Sequence, residues 1–197
     1  MPQRDPFHLT AAEIQRLIIP GAARVPELET ARRDLDELRL APQTQAVLAQ
    51  TEPYMDALEH IPFPTYTHYR SFIRKGDRRD FETPYFARRS KLSAAAIRLF
   101  LGQSALKDIV QDYLWAICEE TNWVLPAHEN VEIDLFSAET GFMLADMLNL
   151  LGNVLDAEVR SRIRNEIERR IFDRYLRFCR LYWWYQGPNN WNGVCNS

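Results

Sequence analysis

The 197-residue sequence contains only three cysteines, and none belongs to a C-x-x-C pair. An odd number of cysteines at unrelated spacings does not form a disulfide framework, so Cys118, Cys179 and Cys195 are predicted to be reduced thiols in a cytoplasmic protein. Its histidines lack the spacing of metal ligands. We therefore predict neither a metal ion nor another cofactor.

The sequence also lacks a long hydrophobic run and an excess of charge of one sign. The apolar run 17–19 is too short for a signal peptide or a membrane span and ends at Pro20-Gly21, so we predict no membrane partner. The net charge is −3 and the pI about 5.8, which gives no reason to expect a nucleic-acid partner. The arginine-rich segment 160–180 is interleaved with acidic residues and is predicted to be a solvated helix face with ion pairs.

No segment alternates between apolar and polar residues for long enough to predict a strand. Apolar residues recur instead at spacings of three and four, which is typical of amphipathic helices. The fold class is therefore predicted to be all-α, built from antiparallel helical hairpins because the connections are short. The predicted helices cover 10–20, 26–40, 44–60, 66–73, 84–101, 106–117, 137–151 and 156–182. The stiff connector Ile61-Pro62-Phe63-Pro64 separates an N-terminal helical segment, 1–60, from the remainder, 61–197.

The most informative segment is 183–197, which combines aromatic residues, a Gly-Pro break and several amides. We predict a loop there that binds a polar ring-shaped ligand, because rings stack on indoles and amides pair with hydroxyls and carboxylates. The candidate contacts are Asn189, Asn190, Trp191 and Asn192. In the alternative interpretation these amides bond their own backbone. Trp183, Trp184 and Tyr185 cannot all face one side of a helix, so at least one is expected to point into a cleft or a contact.

A second candidate cluster follows the helix 106–117 and contains Glu120, Trp123 and His128. Loops often carry binding residues, which makes Trp123 and His128 candidate ligand contacts. In the alternative interpretation Trp123 anchors the loop to the core and His128 bonds a nearby carboxylate. Cys195 is predicted to be a packing residue rather than a nucleophile, because no cationic partner is evident.

Five segments, taken in order, form a recognisable succession: 76–78, 84–89, 115–128, 133–141 and 189–196. The most specific of them is Asn-Asn-Trp-Asn-x-Val-Cys-Asn at 189–196. This succession, which spans about 61–197, resembles the N-terminal helical portion of heparinase II/III-like proteins, a group of polysaccharide lyases and their relatives. The resemblance makes Trp123 and His128, on a loop between helices, candidate sugar contacts.

The resemblance implies that 61–197 forms part of an (α/α) toroid around a central cleft, too short to complete the ring. It also implies a lyase that cleaves uronate-containing glycans by β-elimination, with an acidic polysaccharide or oligosaccharide as its partner. The main catalytic residues are then expected downstream of this chain, which by itself is expected to be an inactive N-terminal fragment. The alternative is a non-catalytic carbohydrate-binding or structural helical domain of the same architecture. Formation of a homo-oligomer stays open.

Overall fold

A computed structural model of the chain describes residues 34–129 and 131–196, which belong to two compact units, 1–41 and 42–197. In the first unit it describes the short helix α1 (Leu35–Leu40), in which Arg39 pairs with Asp36 at 2.6 Å. The helix predicted at 10–20 lies outside the described residues, and so does most of the one predicted at 26–40.

The second unit consists of helices joined by short turns. They are α2 (Pro42–Thr51), α3 (Tyr66–Lys75), α4 (Arg79–Phe100), α5 (Lys107–Cys118), α6 (Leu135–Leu151), α7 (Ala157–Ile167), α8 (Asp173–Phe178) and α9 (Asn190–Asn196), with 3-10 turns at Glu52–Met55, Ser104–Leu106, Pro126–His128 and Cys179–Leu181. No strand occurs in the described ranges, so the all-α prediction is confirmed. None of the described helices combines the length and the hydropathy needed to cross a membrane.

Side-chain hydrogen bonds to the backbone lie at two helix starts that the hydrophobic pattern missed, and the first of them forms a capping box. The Asp134 carboxylate accepts from the Ser137 backbone N–H at 2.7 Å, and the Ser137 hydroxyl accepts from the Asp134 backbone N–H at 2.9 Å. This capping box starts α6 at Leu135, two residues before the predicted start. Helix α4 begins at Arg79 rather than at Pro84, because the Asp77 carboxylate accepts the Arg79 N–H and the helix tolerates the proline.

The main hydrophobic core lies among α4, α5, α6 and α7, which contact one another. Its fully buried members include Leu92, Tyr113, Leu114, Leu144 and Ile163. Residues 42–60, placed by sequence in the N-terminal segment, contribute Leu58 to this core, and the Glu52–Met55 turn contacts α4. A second cluster, made of Ile133, Cys179, Tyr182 and Trp184, anchors the C-terminal part of the chain.

The long helix predicted from 156 to 182 is present as an unbroken helical run over 157–181, but it is not a single regular α-helix. The chain passes from α7 into a π-helix, Glu168–Phe172, then into α8 and a 3-10 turn. A π-helix changes the direction in which later side chains point, because each turn contains more residues than an α-helical turn. Ile163 and Ile167 consequently pack into the main core, whereas Tyr175 and Tyr182 pack into the second cluster.

Candidate functional site

Two of the predicted site residues, His128 and Trp191, lie against each other although they are far apart in the sequence. Their ring centroids are 5.0 Å apart in an edge-on arrangement. His128 belongs to the turn before α6 and Trp191 to α9. The second cluster holds His128 and Trp191 in contact. In it, the buried Trp184 indole donates to the Ile133 carbonyl at 3.2 Å, which keeps the C-terminal segment against the turn.

The hydrogen bonds of His128 determine which of its ring nitrogens carries the proton. Nδ1 lies 2.9 Å from an oxygen of the buried Asp134 carboxylate, and Nε2 lies 2.7 Å from Nη2 of Arg78. An arginine can only donate, so Nε2 must accept and the Nδ1–H donates to Asp134. His128 thus bonds a carboxylate, as the alternative interpretation holds, while its ring edge remains at the surface with Arg78 and Trp191.

Trp183 extends this surface. Its indole lies 5.1 Å from that of Trp191 and is 59% exposed. Trp184, by contrast, is completely buried, so the prediction that these adjacent aromatics point in different directions is confirmed. We call the group formed by Arg78, His128, Trp183, Asn190 and Trp191 the terminal surface.

The predicted loop at 183–197 is partly wrong, because Asn190–Asn196 is helical. Asn189 caps this helix: its side-chain oxygen accepts from the Asn192 backbone N–H at 3.0 Å. The Asn192 amide donates to the carbonyls of Trp184, at 3.2 Å, and Tyr185. Asn189 and Asn192 therefore bond their own backbone, whereas the exposed Asn190 side chain forms no hydrogen bond with another described residue.

Trp123, predicted as a ligand contact, is buried and does not lie at the surface. Its side chain is 1% exposed, and its indole N–H donates to the Ile117 carbonyl at 2.9 Å. Arg170 covers the ring, with the guanidinium carbon 4.9 Å from the ring centroid. The alternative interpretation, in which Trp123 anchors the loop to the core, describes its position.

Glu120 lies in a buried ionic cluster rather than at a binding surface. Its carboxylate accepts from Arg88 at 2.8 Å and from Arg89 at 2.8 and 3.1 Å. Arg88 also donates to the Pro62 carbonyl at 2.8 Å, which ties the Pro-rich connector to α4. Burial lowers the pKa of Arg88, and the Glu120 charge opposes that change. This cluster joins α4 to the Pro-rich connector and to the segment after α5.

Burial makes the thiols of Cys118 and Cys195 poor nucleophiles, since it raises the pKa of each to about 12. The predicted packing role of Cys195 agrees with its contact with the second cluster. Desolvation also raises the pKa of the buried Tyr85 hydroxyl, which lies 3.0 Å from the Trp123 carbonyl. None of these groups is ionised near neutral pH, so none is poised to act as a base.

Two cavities lie beside these clusters. The larger, about 720 Å³, is mostly apolar and lies between α6 and the π-helix, with Phe142, Ile171 and Val194 in its wall. The smaller, about 360 Å³, lies between α4 and α6 and is lined largely by hydroxyl-bearing side chains. Over the described residues, no group of three or more His, Cys, Asp or Glu side chains could hold a metal ion.

Sequence reasoning found His128, Asn190 and Trp191 but missed Arg78 as a member of the terminal surface. Arg78 was noted only within a segment of the family resemblance, and no local pattern connects it with His128. In comparisons with known proteins, the chain matches no protein-family model and no curated protein sequence.

Proposed function

We propose that this chain is part of a polysaccharide lyase related to the heparinase II/III-like proteins, and that its terminal surface binds a uronate-containing glycan. The observation that supports the proposal is the contact between His128 and Trp191, which brings together two of the residues predicted from the sequence to contact a ligand. The partial (α/α) toroid belongs to the same proposal, and the all-helical fold with its packed neighbouring helices supports it.

The chemistry of the terminal surface suits an acidic sugar. The exposed face of Trp183 can stack on a sugar ring, as aromatic faces pack against the C–H groups of rings. Arg78 can form charge-assisted hydrogen bonds with a carboxylate or sulfate. Its guanidinium is 45% exposed and offers more donors than its bond to His128 and its ion pair with Glu82, at 3.6 Å, use. Asn190 adds an amide that can pair with a hydroxyl or carboxylate.

The role proposed for this chain is binding, because the resemblance places the base and the acid of the β-elimination downstream of the Asn-Trp-Asn motif. In such a reaction, donors beside the uronate carboxylate stabilise the negative charge that develops when the C5 proton is removed. Arg78 and Asn190 are the groups of this surface that could act in that way.

The test measures binding of the full chain to alginate, hyaluronate and heparin oligosaccharides. Trp183→Ala is expected to weaken binding by about tenfold, since stacking of a ring on an indole is worth on the order of 1 kcal/mol. The matched control is Trp115→Ala, because Trp115 is a partly exposed tryptophan on α5, 41% exposed, outside the terminal surface. Equal effects of the two substitutions, or no binding to any of these glycans, would refute the proposal.

A structural role is the second candidate, and the hydrogen bonds of Asn189 and Asn192 favour it for those two residues. Asn192→Ala should lower the free energy of unfolding by about 1 kcal/mol through loss of its bonds to two carbonyls. Asn190→Ala should leave stability unchanged and weaken glycan binding. If Asn190→Ala changes neither quantity, Asn190 does not contact the glycan, and a structural role remains for Asn189 and Asn192 alone.

A further inference from the structure

The smaller cavity has the shape and the lining of a small-ligand pocket. It lies between α4 and α6, beside the Glu52–Met55 turn, and its volume is about 360 Å³. Small-molecule sites in proteins have volumes of several hundred Å³. The rings of Phe86 and Phe136, whose centroids are 5.2 Å apart, form an apolar part of the wall. We call this cavity the α4–α6 pocket.

The polar groups of the α4–α6 pocket are available to a ligand. The hydroxyls of Tyr54, Ser90 and Ser93 form no hydrogen bond with another described residue, and neither does the Glu139 carboxylate. The guanidinium of Arg89 in the same wall is already used, because it donates to Glu120 and to the Thr140 hydroxyl. A ligand therefore meets hydroxyls that donate and accept, and one carboxylate that only accepts.

These groups select against an acidic ligand. The charge of Arg89 is compensated by Glu120 at 2.8 Å, whereas Glu139, an exposed side chain that borders both cavities, forms no ion pair with a described residue and would repel an anion. A neutral ring with several hydroxyls satisfies the wall: neighbouring hydroxyls can donate to Glu139, others can pair with the serines, and the C–H face can pack on the phenyl rings.

We propose that the α4–α6 pocket binds one neutral sugar ring. This site is distinct from the terminal surface, although Phe136 lies between them and stacks on His128 with centroids 6.2 Å apart. The proposal does not rest on the lyase assignment, because the pocket can bind a neutral sugar whether or not the terminal surface binds a uronate.

The experiment compares methyl glucopyranoside with methyl glucuronopyranoside, two ligands that differ in a single carboxylate. Both are titrated into the full chain, and backbone amide shifts are followed by NMR. The glucoside is expected to bind saturably and to shift amides of α4 and α6. The glucuronide is expected to bind this pocket severalfold more weakly, since Glu139 is exposed and solvent screens its charge. Absence of saturable glucoside binding, or shifts confined to α9, would overturn the proposal.

Glu139→Gln tests the role of the carboxylate. It should weaken glucoside binding at least about tenfold, because hydrogen bonds to a charged group are stronger than those to a neutral amide. It should also reduce the preference for glucoside over glucuronide, since the repulsion is removed. Asp146→Asn is the matched control, an exposed carboxylate on the same helix that lies outside both cavities. Equal effects of the two substitutions would refute the assignment.

Ser93→Ala provides a second measurement that does not change the charge of the pocket. It should weaken glucoside binding severalfold and leave thermal unfolding unchanged, since the hydroxyl has no partner among the described residues. Trp191→Ala should leave glucoside binding unaltered. If Trp191→Ala abolishes it while Ser93→Ala does not, the sugar binds the terminal surface, and the proposal for the α4–α6 pocket fails.

Discussion

Replacement of Glu120 by glutamine should destabilise the fold strongly, because its carboxylate lies in a buried ionic cluster. The Glu120 side chain is 8% exposed and compensates two guanidinium groups, of which Arg88 is 1% and Arg89 12% exposed. Glutamine keeps the shape of the side chain but removes its charge, which leaves two buried like charges next to each other. Breaking a buried ion pair in this way costs about 3–5 kcal/mol.

That loss is a large part of the total stability of a domain, which is about 5–15 kcal/mol. Because glutamine can still accept one hydrogen bond, we expect the lower end, about 3 kcal/mol, measured by urea unfolding of the full chain. Glu119→Gln is the control: Glu119 is 51% exposed and pairs with Arg162 at the surface, so its loss should cost less than about 1 kcal/mol.

A double substitution separates charge from packing. In the Glu120→Gln background, Arg88→Met should recover part of the lost stability, because it removes a buried cation that no longer has a counter-charge. Two outcomes would show that the cluster does not stabilise the fold through charge compensation. In one, Glu120→Gln lowers the free energy of unfolding no more than Glu119→Gln does. In the other, Arg88→Met lowers it as much in the Glu120→Gln background as in the wild-type chain.

Three further predictions concern other buried groups. Tyr85→Phe should lower the free energy of unfolding by about 1–3 kcal/mol, because the buried hydroxyl bonds the backbone carbonyl of Trp123 in a loop and that of Phe136 in α6. An unchanged urea midpoint would contradict this. Gly141→Ala should lower the free energy of unfolding by about 1 kcal/mol. The new Cβ would lie 2.9 Å from Cγ1 of Ile171, and the cost of this overpacking exceeds the gain in helix propensity. In a double-mutant cycle, Ile171→Ala should remove this cost. The free energy of unfolding should fall as the pH rises above about 9. The thiols of Cys118 and Cys195 have a usual pKa of 9.0 and ionise there in the unfolded chain, whereas burial raises their pKa to about 12 in the folded chain, where they keep their protons. A urea midpoint that is constant from pH 8 to pH 11 would refute this prediction.

Local sequence patterns predicted the existence of the helices well and their ends less well. The apolar stripe at 106–117 corresponds to α5 within a residue, because a helix that buries one face needs apolar residues at this spacing. The stripe from 156 to 182 has the same spacing but is interrupted by the π-helix. Ile171 there packs within reach of Gly141 on α6, a contact that no pattern within 156–182 contains.

In the segment 183–196, local sequence likewise predicted which residue types form the candidate site but not the role of each residue. Its composition correctly indicated unusual exposed aromatic and amide groups, and Trp183 and Asn190 are indeed exposed. Composition could not distinguish Asn189, which caps a helix, from Asn190, which faces solvent, because both are asparagines in the same polar context. The hydrogen-bond partners that separate them are backbone groups placed by the fold.

By itself the sequence determined the all-helical class of the described chain, the unpaired thiols and the small set of residues from which the terminal surface is drawn. These properties depend on periodicity and composition, which act over a few neighbouring residues. Only the tertiary structure decided that His128 meets Trp191 and Arg78, that Trp123 is buried, and that Glu120 compensates two arginines. Each of these depends on contacts between distant segments, and such contacts are set by how the helices pack into the core.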